Sequence, residues 1–226
     1  MLAPRLLNSY HGVMIFHQID AGGDRNFAYL LADRPGGTAV LVDPPPNYKR
    51  FHALIEQDDL NVEYVIVTHG HSDHTWGVPF AVERFACKLV AHESMHLKLD
   101  LPVADDDTLQ VGDLSLRFIY TPGHCDDHIC ILCNGKLISG DILFVGKVGG
   151  TDLADGARRE YDSLHQKLMN LPPETEVWPG HDFGAAPSST IGHELETNPF
   201  ILCDSFEAFL DLKVNWLQYK RDHGIK

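Results

Sequence analysis

Apolar runs of strand and helix length, separated by glycine, proline and polar turns, divide the chain into alternating segments. Three runs rich in apolar and β-branched residues, at Val13–His17, Phe27–Ala32 and Thr38–Val42, are separated by turn sequences and predict antiparallel strands. Further along, Val62–Val67 predicts a buried strand and Val78–Phe85 predicts a helix. The first half of the chain therefore combines strands with helices.

The second half repeats this alternation. The pattern predicts strands at Lys88–Ala91, Leu114–Tyr120, His128–Cys133, Lys136–Ser139 and Glu176–Trp178. Between two of them stands Asn134-Gly135, a dipeptide typical of a two-residue hairpin turn. A helix is predicted from Arg158 to Leu171, where two prolines end it. Strand-rich blocks alternating with helices predict an α/β fold, with two sheets and helices on the outside.

The C-terminal segment, at about residues 200–222, predicts a short amphipathic helix that lies on the core. Asp204-Ser205 can cap it. Its apolar residues fall on one helical face, formed by Phe206, Leu210, Val214 and Leu217. This tail is too short to form a domain of its own, so residues 1–226 are expected to form one domain.

The charge balance limits the classes of partner. The chain has 18 Lys and Arg against 32 Asp and Glu, a formal net charge of −14, and its densest basic stretch is Arg158-Arg159. It lacks the basic surface that binds phosphate backbones or anionic lipids, so neither nucleic acid nor a membrane is an expected partner. No apolar run approaches the roughly 18 residues of a membrane span. Five irregularly spaced cysteines and the absence of a secretory pattern predict a cytoplasmic protein.

The segment 68–74 has the densest group of chemically active side chains. It reads Thr-His-Gly-His-Ser-Asp-His and places three imidazoles and a carboxylate within six positions, directly after a predicted strand. Imidazole nitrogens and carboxylate oxygens are ligands of zinc and ferrous iron. His69 and His71 can serve one metal position while Asp73 and His74 serve another. A loop whose histidines only cap the next helix does not account for this density.

Three more candidate ligands follow the ends of other predicted strands. They are His124, Asp141 and His181. Each could be a turn residue by itself, but a carboxylate with two oxygens can also bridge two cations. Together with the segment 68–74 they predict one metal site.

This series of candidate ligands resembles the ligand set of the metallo-β-lactamase superfamily, and the resemblance covers most of the chain. Within the superfamily, the sequences Gly22–Phe27, Ser139–Phe144 and Ser189–Gly192 are similar to the glyoxalase II (hydroxyacylglutathione hydrolase) and persulfide dioxygenase branch. The resemblance implies an αββα sandwich of two mixed sheets with two divalent metal ions at one edge. Zinc is the first choice, with iron and manganese as alternatives. It further implies one metal on His69, His71 and His124, the other on Asp73, His74 and His181, and Asp141 as the bridge.

Departures from this branch concern substrate recognition. Glyoxalase II proteins usually have a basic residue in the glycine-rich stretch after the bridging aspartate, where this chain has Gly150. They usually have a tyrosine beyond the last metal histidine, where it has Phe183, and the candidates to replace the basic residue are Lys147, Arg158 and Arg159. Only about 45 residues follow His181. We therefore expect a low rim beside the metals, and broad activity on small thioesters with little dependence on glutathione.

Two other patterns are interpreted as structural. His92–His96 matches the HExxH signature of zinc peptidases, but it follows a strand, meets Pro102 soon afterwards and lacks a third histidine at the metzincin spacing. Cys130 and Cys133 form a CxxC motif, but alternation along a strand sends their side chains to opposite faces, which favours core thiols. Cys125, nearer the candidate ligands, is expected to be a small buried residue.

Three hypotheses of function follow. The first is a binuclear metal-dependent hydrolase of small thioesters, in which Asp73 binds a metal and also accepts a proton. The leaving thiol has a pKa of about 8.5, so no strong general acid is needed. The alternative is a mononuclear non-haem iron persulfide dioxygenase using His69, His124 and Asp141. The third is a non-catalytic metal-binding scaffold, which the complete ligand set does not favour.

Overall fold

The structure is a computed structural model that describes residues 14–46 and 49–225. Its strands are β1 (Ile15–Gly22), β2 (Asn26–Ala32), β3 (Thr38–Val42), β4 (Asn61–Ile66), β5 (Lys88–His92), β6 (Leu101–Val103), β7 (Thr108–Val111), β8 (Leu114–Tyr120), β9 (Ile129–Cys133), β10 (Lys136–Gly140), β11 (Leu143–Phe144), β12 (Lys147–Val148), β13 (Glu176–Pro179) and β14 (Ser189–Thr190). Its helices are α1 (Lys49–Gln57), α2 (Ser72–Thr75), α3 (Val78–Phe85), α4 (Asp155–Gln166), α5 (Ile191–Thr197), α6 (Phe206–Val214) and α7 (Trp216–His223). The strand predicted from Val13 begins at Ile15, and Val13 itself lies outside the described residues.

Most strands form two six-stranded mixed sheets. The first has the order β1-β2-β3-β4-β5-β6, and the second has the order β14-β13-β10-β9-β8-β7. In the first sheet β3 to β6 are parallel, whereas β1, β2 and β3 are antiparallel. The predicted hairpin between β9 and β10 is confirmed, and Asn134 and Gly135 both have the positive φ that its turn requires.

The alternation of side chains along the strands produces three apolar layers. In the first sheet Leu31 and Val40 face the second sheet, whereas Leu30 and Leu41 face outward onto the layer that α1 and α3 cover. In the second sheet Ile131 faces inward, and Cys130 faces the outer layer with residues of α4 and α6. This is the predicted αββα sandwich.

The prediction for the C-terminal helix was wrong in detail. The segment forms two helices that meet at Asn215, and the buried residue of the first is Phe209. Val214 and Leu217, predicted to face the core, are 58% and 71% exposed. A helical face drawn across the whole segment assumes one uninterrupted helix, so the interruption at Asn215 shifts the phase of Leu217. Val214 lies before the interruption, at the exposed end of α6.

The helix predicted at Arg158–Leu171 begins and ends earlier. The α-helix α4 spans Asp155–Gln166, and a short 3-10 turn follows at Leu168–Asn170. The Asp152 carboxylate accepts hydrogen bonds from the backbone N–H groups of Ala154 and Gly156, which satisfies donors at the new start. None of the helices in the described part of the chain has the length and apolar character of a membrane crossing.

Candidate metal centre

The candidate ligands converge where strands of both sheets end. The segment 68–74 follows β4, and the other three residues follow β8, β10 and β13. These last three strands run in the same direction, because β8 and β10 are both antiparallel to β9 while β13 is parallel to β10. Their carboxyl ends therefore lie at one edge of the second sheet, facing the loop after β4.

The first donor group consists of His69, His71 and His124. The Nδ1 atom of His71 lies 3.0 Å from Nε2 of His69 and 3.0 Å from Nε2 of His124. Three imidazole nitrogens thus face one common point, the arrangement that a tetrahedral metal site needs.

The second donor group consists of Asp73, His74 and His181. The Nε2 atoms of the two histidines are 3.2 Å apart, and Asp73 Oδ2 lies 3.4 Å from Nε2 of His181. These three atoms form a second convergent set beside the first.

Asp141 lies between the two donor groups. Its Oδ2 is 3.2 Å from Nε2 of His181 and 3.7 Å from Nε2 of His124. Its Oδ1 is 3.5 Å from Nε2 of His74. The carboxylate is therefore in reach of both convergent points, and all seven residues predicted from the sequence are brought together.

The outer nitrogens of two of these histidines face backbone carbonyls. His124 Nδ1 lies 2.6 Å from the carbonyl oxygen of Gly150, and His181 Nδ1 lies 2.9 Å from that of Asp24. A carbonyl oxygen can only accept, so each outer nitrogen carries a proton and donates it. The inner Nε2 atoms are left to bind a cation.

Asp43 and Thr68 orient two more histidines, and the sequence analysis missed both. Asp43 Oδ2 accepts from the Thr68 hydroxyl at 2.6 Å and lies 2.8 Å from Nδ1 of His74. Because the Thr68 hydroxyl gives its proton to Asp43, its oxygen accepts from Nδ1 of His69 at 3.0 Å. Asp43 directly follows β3, and a carboxylate at the end of a predicted strand is the sequence feature that could have identified it.

His128 and Asn26 were also missed. His128 is fully buried, and burial lowers its pKa to about 3, so it is neutral. Its Nδ1 donates to the Thr121 hydroxyl, and its Nε2 accepts from the backbone N–H of Asp141 at 3.0 Å. Asn26 donates from Nδ2 to Asp73 Oδ2 at 2.8 Å. His128 therefore fixes the backbone at Asp141, and Asn26 fixes the carboxylate of Asp73.

The charges of the site fit divalent cations. The Oδ1 atom of Asp141 is buried without a hydrogen-bond partner. Burial acts to raise the pKa of Asp141, but the neighbouring imidazoles of His181 and His74 outweigh it and keep the pKa well below its usual value. Burial acts to lower the pKa of His74, but Asp43 and Asp141 outweigh it and raise the pKa well above its usual value. A positive charge between the donor groups is therefore favoured, and bound cations would supply it.

The sequence profile described as Metallo-beta-lactamase superfamily matches residues 21–181, which include all seven candidate ligands. The chain belongs to this superfamily. The hydroxyacylglutathione hydrolase of Francisella philomiragia is 37% identical over 164 residues, which cover 70% of this chain and 64% of that relative. Human "Persulfide dioxygenase ETHE1, mitochondrial" is 31% identical over 187 residues, covering 80% of this chain and 74% of that relative.

A solved structure of the same superfamily supports the same branch. The crystal structure of ETHE1 from Myxococcus xanthus superposes with a TM-score of 0.82 at 33% identity, covering 90% of this chain and 91% of that one. The resemblance found in the sequence motifs is confirmed. Relatives of both kinds lie at similar distances, so similarity does not choose between hydrolase and dioxygenase.

Beside the second donor group, this superfamily member has a pocket of about 840 Å³, which the sequence analysis did not predict. Phe183 forms its inner wall and stacks on His181, with ring centroids 4.5 Å apart. Helix α7, in the C-terminal segment predicted to lie on the core, contributes Trp216 and Lys220 to the wall. The short tail therefore folds back far enough to shape the cleft.

The pocket is basic although the chain is acidic. Its wall includes Arg25, Lys147 and Lys220. The Arg25 guanidinium and the Lys147 ammonium lie 4.6 Å and 5.0 Å from the ring centroid of Phe183. Burial, followed by the charges of Lys220 and Arg25, lowers the pKa of Lys147. Within residues 14–46 and 49–225, no carboxylate forms a salt bridge with Lys147 or Lys220, so the pocket suits an anion.

The patterns interpreted as structural are confirmed as such. His92 ends β5, a turn follows it in place of a helix, and its ring stacks on Tyr120. Cys130 and Cys133 face different apolar layers. Cys125 is only half-buried, and its Sγ lies 3.2 Å from the outer Nε2 of His71, so this thiol contacts the site more closely than expected.

Proposed function

We propose that this protein is a binuclear metal-dependent hydrolase of small thioesters, similar in its chemistry to hydroxyacylglutathione hydrolases. The observation that carries the proposal is the position of Asp141 between two complete donor groups. A mononuclear centre needs only one of these groups. Two divalent cations are the proposed cofactors, with zinc first and iron or manganese as alternatives.

The proposed roles follow from the geometry. His69, His71 and His124 bind one cation, Asp73, His74 and His181 bind the other, and Asp141 bridges them. When bound, two such cations supply a hydroxide nucleophile at neutral pH and polarise a carbonyl group. Asp73 is also the proposed proton acceptor, because its side chain is 43% exposed and, among the described residues, Asn26 is the one hydrogen-bond donor to its Oδ2.

The basic pocket supports a thioester with an anionic thiol portion. A carboxylate of the thiol would meet Lys147 and Lys220 while the acyl carbon lies at the donor groups, since Phe183 separates the two regions. The described pocket offers no comparable group of charged residues to the acyl portion of the thioester. A small-molecule thioester is therefore the proposed partner, and five cysteines without a disulfide support the cytoplasm as the proposed compartment.

The decisive experiment measures metal content and two reactions on the same preparation. Protein purified without oxygen is expected to contain two divalent cations per chain and to release thiol from S-lactoylglutathione. Removing the cations with a chelator should abolish thiol release, and adding zinc should restore it. One iron per chain, together with oxygen uptake on glutathione persulfide and no thioester hydrolysis, would overturn the proposal.

The second candidate, a persulfide dioxygenase, is favoured by the high structural similarity to ETHE1 from Myxococcus xanthus. His69, His124 and Asp141 would provide two imidazoles and a carboxylate to one iron. The same basic pocket would bind an anionic thiol persulfide. His181→Ala separates the two candidates, because it removes a ligand of the second donor group while leaving those three residues in place. The hydrolase loses its activity in this variant, whereas a mononuclear dioxygenase keeps its iron.

Replacing the pocket cations tests how the substrate is recognised. In Lys147→Met and Lys220→Met we expect KM for S-lactoylglutathione to rise about tenfold, the effect of about 1.4 kcal/mol from one charge-assisted contact. A neutral lactoyl thioester of similar size should be unaffected. Lys88→Met, an exposed lysine at the start of β5, is the matched control. Equal effects on charged and neutral thioesters would show that the two lysines do not bind the anion.

A further inference from the structure

The backbone at 149–150 positions His124, and helix α6 contacts this backbone from the outside. The carbonyl of Gly150 accepts from His124 Nδ1, and the adjacent carbonyl of Gly149 accepts from the Lys213 ammonium at 2.7 Å. The Lys213 side chain reaches inward from α6 and is only 6% exposed. A residue of the C-terminal helices is therefore one peptide unit away from a hydrogen bond to a candidate metal ligand.

Lys213 is also paired with Glu160 of α4. The Glu160 side chain is fully buried and its Oε2 accepts from the Lys213 ammonium. Burial raises the pKa of Glu160 to about 7 against the opposing effect of Lys213. Its second carboxylate oxygen, Oε1, has no hydrogen-bond partner within the described residues. A buried pair with an unpartnered oxygen is a weak source of stability, so stability does not explain its presence.

Helix α4 also touches the backbone on the other side of His124. Gly123, which precedes it, has φ of 147°, and a Cβ atom there would lie 2.4 Å from Cα of Glu160. At Gly149 a Cβ would lie 2.0 Å from the carbonyl oxygen of Asp141. The two backbone segments beside His124 are thus packed without spare room between α4 and the metal site.

We propose that Lys213 is a positioning residue for the first donor group. Its ammonium holds the carbonyl of Gly149, and the adjacent carbonyl of Gly150 accepts the hydrogen bond of His124. Glu160 compensates the charge of the buried ammonium. The C-terminal helices thereby support the metal centre in addition to walling the pocket. This inference rests on the proposed role of His124 as a metal ligand, but it does not depend on which reaction the centre catalyses.

The test measures cation affinity at each donor group in variants that remain folded. Lys213→Met with Glu160→Gln removes both charges, so that neither is left buried alone. Zinc affinity is measured by competition with a chromophoric chelator, and cobalt absorption spectra report each position. His71→Ala and His181→Ala, which each remove a ligand of one donor group, assign the two signals. Leu212→Ala, a change in the same helix that retains both Lys213 and Glu160, controls for loosening of α6.

The double variant is expected to lose tenfold or more in affinity at the first donor group, a typical effect of removing support from a metal ligand, while the second group changes less than threefold. Leu212→Ala should lower the melting temperature without changing either affinity. Unchanged affinity at the first group, or equal losses at both groups, overturns the proposal. If the double variant does not fold, Glu160→Gln alone is measured, because it retains the hydrogen bond from Lys213 to Gly149. This variant should retain the cation affinity of the first donor group, and a tenfold loss of that affinity would contradict the proposal.

Discussion

Asp141→Asn is expected to reduce kcat/KM for thioester hydrolysis at least a thousandfold, or about 4 kcal/mol of transition-state stabilisation. The substitution preserves shape but replaces the anion between the two donor groups by a neutral amide. Repulsion between two cations is then no longer offset, and the amide nitrogen cannot bind either of them. We expect the variant to retain at most one tightly bound cation.

Metal analysis and thioester assays on purified Asp141→Asn test this expectation. Asp113→Asn serves as control, since it makes the same chemical change at an exposed carboxylate far along the second sheet. The control should retain two cations and normal turnover. Full metal content with normal activity in Asp141→Asn would refute the bridging role and with it the binuclear assignment.

The strand ends that carry the ligands were predictable because each is a local pattern. An apolar run followed by glycine and a histidine or aspartate needs no knowledge of its neighbours, so His124, Asp141 and His181 could be identified one at a time. The antiparallel hairpin at Asn134-Gly135 is local in the same sense. The seven candidate ligands and the layered fold could therefore be predicted from the sequence.

The residues that orient the ligands could not be identified in this way. Asp43 contacts His74 across 31 positions of sequence, and His128 contacts the backbone of Asp141. Neither pair has a characteristic spacing, because each contact arises only when two neighbouring strands of one sheet, β3 with β4 and β9 with β10, bring their ends together. The pocket was missed for a similar reason, since the phase error at Asn215 concealed that α7 turns Trp216 and Lys220 toward the cleft.

Asp43→Asn is expected to weaken cation binding at the second donor group by about tenfold to a hundredfold. The buried carboxylate accepts from three donors: the backbone N–H of Thr68, the Thr68 hydroxyl and Nδ1 of His74. An asparagine offers one acceptor oxygen and an NH₂ group, so at least one of these donors must meet another donor. This unfavourable contact between two donors is relieved when the proton of His74 moves from Nδ1 to Nε2. The proton then occupies the nitrogen that would otherwise bind the cation.

Zinc affinity at the second donor group and the tautomer of His74, read from its ring nitrogen chemical shifts, test the two parts of this prediction together. Asp33→Asn is the matched control, because Asp33 is buried to the same degree and also accepts backbone N–H groups, at Thr38 and Asp113, but lies away from the ligands. Each substitution should cost about 1–3 kcal/mol of unfolding free energy. Only Asp43→Asn should change the affinity. An equal loss of affinity in both variants would mean that cation binding depends on general stability, and that Asp43 does not select the tautomer of His74.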